Sequence, residues 1–159
     1  MMGLVGSRRF LAALLASVGL PSTVACDGGF ALENGLPRVT WVAVEPVAAD
    51  RAALTLWVKD AEGDAVDVAI TWSAGGQSGP LVLAPGSAPL VGLPTQLGLT
   101  DDDGQAHRVL WDLTGVPEGA ATFALVVDDR PHAGSDGDIY RTDDGLDPRA
   151  GGGPVAASR

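Results

Sequence analysis

This chain of 159 residues has one cysteine, one lysine, two histidines and few aromatic rings. Each scarcity closes a door. A lone Cys26 permits no internal disulfide, so the core must supply the stability unaided. The two histidines, His107 and His132, have no cysteine near them, and no GxSxG, HExxH or SxxK arrangement occurs. Twenty acidic residues offer no pair that stands out for two-carboxylate hydrolysis, and the expectation is a protein that is not an enzyme. Basic residues number ten against those twenty acids, a net charge of −10. That sign argues against nucleic acid and against electrostatic docking on anionic lipid. The uncharged run Phe10–Leu20, eleven residues, is too short for a membrane span of about 20.

The front of the chain has three zones. Arg8 and Arg9 precede the apolar run, and Pro21-Ser22 then breaks any helix. Thr23-Val24-Ala25 supplies small or compact residues just before Cys26. This is the layout of a secretory signal peptide over residues 1–25. The segment "TVAC" resembles the lipobox of bacterial lipoproteins, with Thr23 where that family usually carries an aliphatic residue. The resemblance implies cleavage after Ala25 and a covalent lipid on the Cys26 thiol. Ordinary export with cleavage after Ala25 is the alternative. Removing residues 1–25 leaves eight basic and twenty acidic residues, net −12.

Residues 26–37, containing "DGGFALENGLP", read as a Gly-rich leader suited to tether a domain above a membrane. Period-two patterning follows. Val39, Trp41 and Ala43 share one side of a strand over Arg38–Val47. Leu54, Leu56 and Val58 alternate with Thr55, Trp57 and Lys59. Val66, Val68, Ile70 and Trp72 alternate with polar or small residues, and Val109, Trp111 and Leu113 alternate with Arg108, Leu110 and Asp112. Phe123, Leu125 and Val127 complete the set. Such alternation sends one set of side chains to a core and the other outward. Turn signals separate the runs: "DAEGD", "SAGGQSG", "DDDG" and "GVPEG". Four prolines between residues 80 and 94 exclude a long central strand and leave short edge strands around Leu81–Leu83 and Gln96–Leu99. From residue 131 the chain is rich in Gly, Asp and Pro, and is expected to be a disordered acidic tail.

Two stretches, "LWVKDAEGDAVDVAITWSAGG" and "HRVLWDLTGVPEGAATFALVVDD", resemble the immunoglobulin-like and fibronectin-type-III-like modules of bacterial envelope proteins. The resemblance covers residues 38–130. It implies an all-β, antiparallel β-sandwich of about seven strands, and says little about activity, because this fold hosts many functions.

Two site hypotheses remain. Oxygen-rich turns suit calcium: Asp60, Glu62 and Asp64 form one cluster, Asp101, Asp102 and Asp103 a second, and Asp136, Asp138, Asp143 and Asp144 a third. Asp and Gly are equally the residues that turns prefer. Trp57 is expected to face away from Leu54, Leu56 and Val58, where a ring could stack on a sugar. Trp41, Trp72 and Trp111 lie on apolar faces and are expected in the core. The reading is an exported, membrane-anchored envelope lipoprotein with a structural or adhesive role. A carbohydrate- or peptide-binding module and a calcium-dependent adhesion module are the alternatives, with an envelope protein or glycan as partner.

Overall fold

The structure is a computed structural model that describes residues 35–97, 104–129 and 138–159. Every regular element among them is a strand. β1 (Arg38–Ala48) and β2 (Arg51–Asp60) form an antiparallel hairpin. β3 (Asp67–Ala74) turns into β4 (Gln77–Pro80), followed by the two-residue β5 (Gln96–Leu97). Then come β6 (Gln105–Asp112), β7 (Thr122–Asp128), β8 (Asp138–Thr142) and β9 (Gly152–Ser158). The spatial order is β4-β3-β7-β8-β9-β1-β2, with β6 antiparallel on β2 and β5 parallel at the end of β2.

The β3–β4 turn shows the local logic. Gly75 and Gly76 have φ of 54° and 75°, the left-handed pair that a two-residue hairpin of this twist demands. At the other end of β3, the Asp60 carboxylate shapes the entry. Its Oδ1 accepts the backbone N–H of Glu62 at 2.9 Å and of Asp64 at 3.0 Å. That is an Asx-type turn, and Asp60 is buried in making it.

The sheet curls until its two ends face one another. Leu81 N–H still bonds to Ile70 of β3, and the chain then crosses to β6. There Asp112 N–H donates to Val82 and Ala84 N–H to Leu110. This crossing segment occupies hydrogen-bonding groups that the edge of β6 would otherwise leave open. Inside the curl, Trp111 of β6 meets Phe123 of β7 edge-to-face at 5.5 Å and Trp72 of β3 at 6.4 Å. Three strands from both ends of the sheet thus lock through aromatic rings, a contact worth more than burial alone. The predicted inward sets of β2, β3, β6 and β7 are the buried sets.

Two expectations need correction. The expected disordered tail from residue 131 is not what residues 138–159 form. They carry β8 and β9, and β9 lies between β8 and β1 in the interior of the sheet. A strand flanked on both sides gains its hydrogen bonds from its neighbours, so it needs little apolar content of its own. Tyr140, Thr142 and Leu146 are nonetheless buried, and Val155 and Ala157 pack on the core. Within β9 only Gly152 is crowded: a Cβ there would stand 2.7 Å from Leu146 Cδ2, whereas one at Gly153 would meet nothing within 4 Å. The unit built around the core therefore extends past residue 130, to Arg159.

The second correction concerns Trp41. Val39 pairs with Val58 but Trp41 pairs with Trp57, so Thr40 is an extra residue in β1. A β-bulge of this kind reverses the alternation downstream. Val39, Val42 and Val44 are buried, while Trp41 and Ala43 are turned to the other face.

Candidate functional site

Register decides what the outer face of the sheet carries. Trp41 and Trp57 stand directly opposite one another on β1 and β2. Trp41 faces Ala156 of β9, and Trp57 faces Ala106 of β6. The result is one row across four strands, Ala156–Trp41–Trp57–Ala106. Leu56 and Val58, which flank Trp57 in sequence, are fully buried, so the row lies on the side away from the core. Both rings are half-buried. The Thr40 hydroxyl donates to the Trp57 carbonyl at 3.4 Å, tying the bulge to β2. In the row on the Ala43 side, Thr55 stands opposite Arg108, whose guanidinium lies 3.7 Å from Glu45.

Trp41 also belongs to a cleft of about 430 Å³ at the rim where β1, β8 and β9 meet. Arg38, Thr40, Tyr140, Ala157 and Arg159 line it with Trp41. Arg159 forms an ion pair with Asp138. Arg38 is exposed at this rim. The Tyr140 hydroxyl donates to the Pro37 carbonyl at 3.0 Å, which fixes the start of β1 over the core. Burial pushes the Tyr140 phenol above its ordinary value, and the charge of Asp138 adds to the shift.

The calcium hypothesis fares differently. No three His, Cys, Asp or Glu side chains converge on a metal-sized position among the described residues. In the Asp60–Glu62–Asp64 cluster, Asp60 Oδ1 is taken by the turn and Glu62 Oε2 accepts the Gly35 N–H at 3.2 Å. Asp64 serves through its backbone, its carbonyl accepting the Thr95 hydroxyl at 2.7 Å. Asp60 Oδ2 is buried with no partner. In the third cluster, Asp138 is spent on Arg159 and Asp143 lies 3.4 Å from the Ser158 hydroxyl. Asp101, Asp102, Asp103 and Asp136 lie outside the described residues, as do Ala25, Cys26 and His132. His107 Nε2 is 2.7 Å from the Pro94 carbonyl, a contact that anchors the loop before β5.

Of the residues singled out in the sequence, Trp57 lies half-buried on the side away from Leu56 and Val58, and Trp41 stands opposite it. Arg38 and Arg159 could not be paired from the sequence, being separated by nearly its whole described length. A signal for Trp41 did exist: Val42 and Val44 share one face of a strand and are out of phase with Val39. No protein-family model matches this chain, and no curated protein and no solved structure is significantly similar to it.

Proposed function

We propose that this is an exported envelope lipoprotein, lipid-anchored at Cys26, whose β domain is an immunoglobulin-like sandwich acting as a non-catalytic binding module. The single observation that carries the binding role is the pairing of Trp41 with Trp57 on the outer face. Two tryptophans on adjacent strands, flanked in the same row by Ala156 and Ala106, place indole surface on the outer face. Amphipathic ligands such as saccharides present a matching C–H face. The sandwich reading is supported by aromatic contacts that join β6 to β3 and β7 across one core. The anchor reading is supported by the sequence of residues 8–26.

Two measurements test the proposal. Intact mass of the protein from its native membrane should match residues 26–159 plus a diacylglyceryl group, lost in Cys26→Ser. A soluble, unlipidated chain would overturn the anchor. Titration of the full chain with cell-wall muropeptides should change tryptophan emission. That change should vanish in Trp57→Ala at unaltered melting temperature. Equal responses in both proteins would overturn the binding face.

A further inference from the structure

We infer that β9 is an exchangeable strand, and that the slot it fills between β1 and β8 takes the β9 of a second copy of this chain. The chain on either side of Gly151 is held very differently. Before it, Leu146 and Ala121 exchange two backbone hydrogen bonds, of 2.8 and 2.9 Å. The Asp147 carboxylate accepts the N–H of Arg149 at 2.8 Å and of Ala150 at 3.2 Å, and the Asp147 carbonyl accepts that of Gly151. Arg149 reaches across to the carbonyls of Val116 and Pro117. The chain is thus tied down as far as Gly151. Three glycines in a row, Gly151–Gly153, then lead into β9. Gly151 has φ of 82°, and glycine gives up more conformational freedom on ordering than any other residue. Pro154 follows, with no N–H to give to a neighbouring strand.

β9 itself is lightly held. Gly152, Val155 and Ala156 pair with β1, with a register shift between Val42 and Val44, and only Ala157 and Ser158 pair with β8. By contrast, β2 pairs with β6 without a break from Arg51 to Val58. Val155 and Ala157 pack on the core but are only half-buried, whereas Phe123, Leu125 and Val127 of β7 are buried. The ion pair of Arg159 with Asp138 rests on an exposed guanidinium, and such pairs add little. A strand with few buried apolar contacts opens locally before the rest of its sheet. Once β9 is out, β1 and β8 present unpaired edges, which are templates for another strand. Sterics set what refills the gap. A Cβ at the Gly152 position would stand 2.7 Å from Leu146 Cδ2, so a foreign strand with a side chain there is refused. The β9 of another copy fits by identity, and reciprocal exchange about a two-fold axis leaves neither copy with an open edge. Gly151–Gly153 at full extension reach about 10 Å, so the two copies lie against one another.

Two measurements on the full chain test this. In hydrogen–deuterium exchange read by mass spectrometry, β9 amides should exchange at least about tenfold faster than those of β2 and β7. Equal protection of the three strands would overturn the exchangeable strand. The occupant is tested by mixing two proteins in a Cys26→Ser background, one carrying Val42→Cys and the other Val155→Cys. Val42 is buried opposite Val155, so under mild oxidation a mixed disulfide forms only where the β9 of one copy lies on the β1 of the other. It should appear at about 1 mM protein, the effective concentration of a short flexible linker, and fall about tenfold on tenfold dilution. Arg141→Cys and Ser158→Cys, opposite one another on β8 and β9, form a second pair should the first substitutions unfold the sheet. Both positions are exposed, so there the mark of exchange is a mixed dimer well beyond its random proportion to the two like dimers. No such mixed dimer from either pair, with β9 still exchanging fast, would show each chain refilling its own slot and overturn the second copy as occupant.

Discussion

The four tryptophans divide into two pairs that share a residue type and a strand environment but little else. Trp72 and Trp111 lie within the curl, where Trp111 is wholly buried and closes against Phe123. Trp41 and Trp57 lie back to back with them, on the solvent side of β1 and β2. The inner pair joins strands distant in the sheet, whereas the outer pair stands on neighbouring strands. A side chain's role here is set by which face its register assigns.

The sharpest way to break this comparison is to truncate one ring on each side. Trp111→Ala should cost about 3–5 kcal/mol in urea unfolding, because the cavity opens at the junction of β3, β6 and β7. Trp111→Phe should cost much less, since Trp111 Nε1 is buried without a partner and its removal relieves an unmet hydrogen bond. Trp57→Ala should cost under about 1 kcal/mol. Comparable losses at Trp111 and Trp57 would show that the outer ring is as structural as the inner.

A second contrast sets the legible strands against β8 and β9. Arg149, between those two, donates through Nη1 to Pro117 and through Nη2 to Val116, each at 2.9 Å. One guanidinium thus clamps the β6–β7 corner to the β8–β9 connection. Arg149→Ala should cost about 1.5–3 kcal/mol in chemical denaturation, as loss of bonds to a charged donor does. A change within error would mean that the final segment adds little to the fold.

The smallest effect concerns Tyr140, the only tyrosine in the chain. Its folded phenol is raised above the ordinary value near 10, first by burial and then by Asp138. Ionisation is therefore disfavoured in the folded state. The stability this carries is complete below pH 10 and drains away as pH rises through the folded value. Melting temperature should fall on the alkaline side of pH 10, and Tyr140→Phe should flatten that fall. The variant should cost about 1 kcal/mol at neutral pH through the lost bond to Pro37. An alkaline limb identical in both proteins would place its origin elsewhere.

Much of the fold could be read along the chain. Period-two alternation marked β2, β3, β6 and β7, because their inward residues are large and uninterrupted. The Gly75-Gly76 turn was equally plain, as only glycine takes two successive left-handed conformations without strain. β9 was hidden because "GGPVAAS" opens on two glycines and a proline and carries no apolar alternation. Its strand state comes from β1 and β8 on either side, which no local window contains. In the candidate site, Trp57 was visible from its neighbours Leu56 and Val58. Arg38 and Arg159 were not, because adjacency between strands from opposite ends of the sequence is a property of topology.

By itself, then, the amino-acid sequence determined an all-β domain with a self-sufficient core, an acidic charge and an outward Trp57, since alternation, composition and turn chemistry are local. Only the tertiary structure decided that Thr40 bulges, that Trp41 therefore turns outward to meet Trp57, and that β9 brings Arg159 beside Arg38. A bulge and a strand insertion are settled by the pairing of distant segments, and pairing energies arise only when the whole sheet has formed.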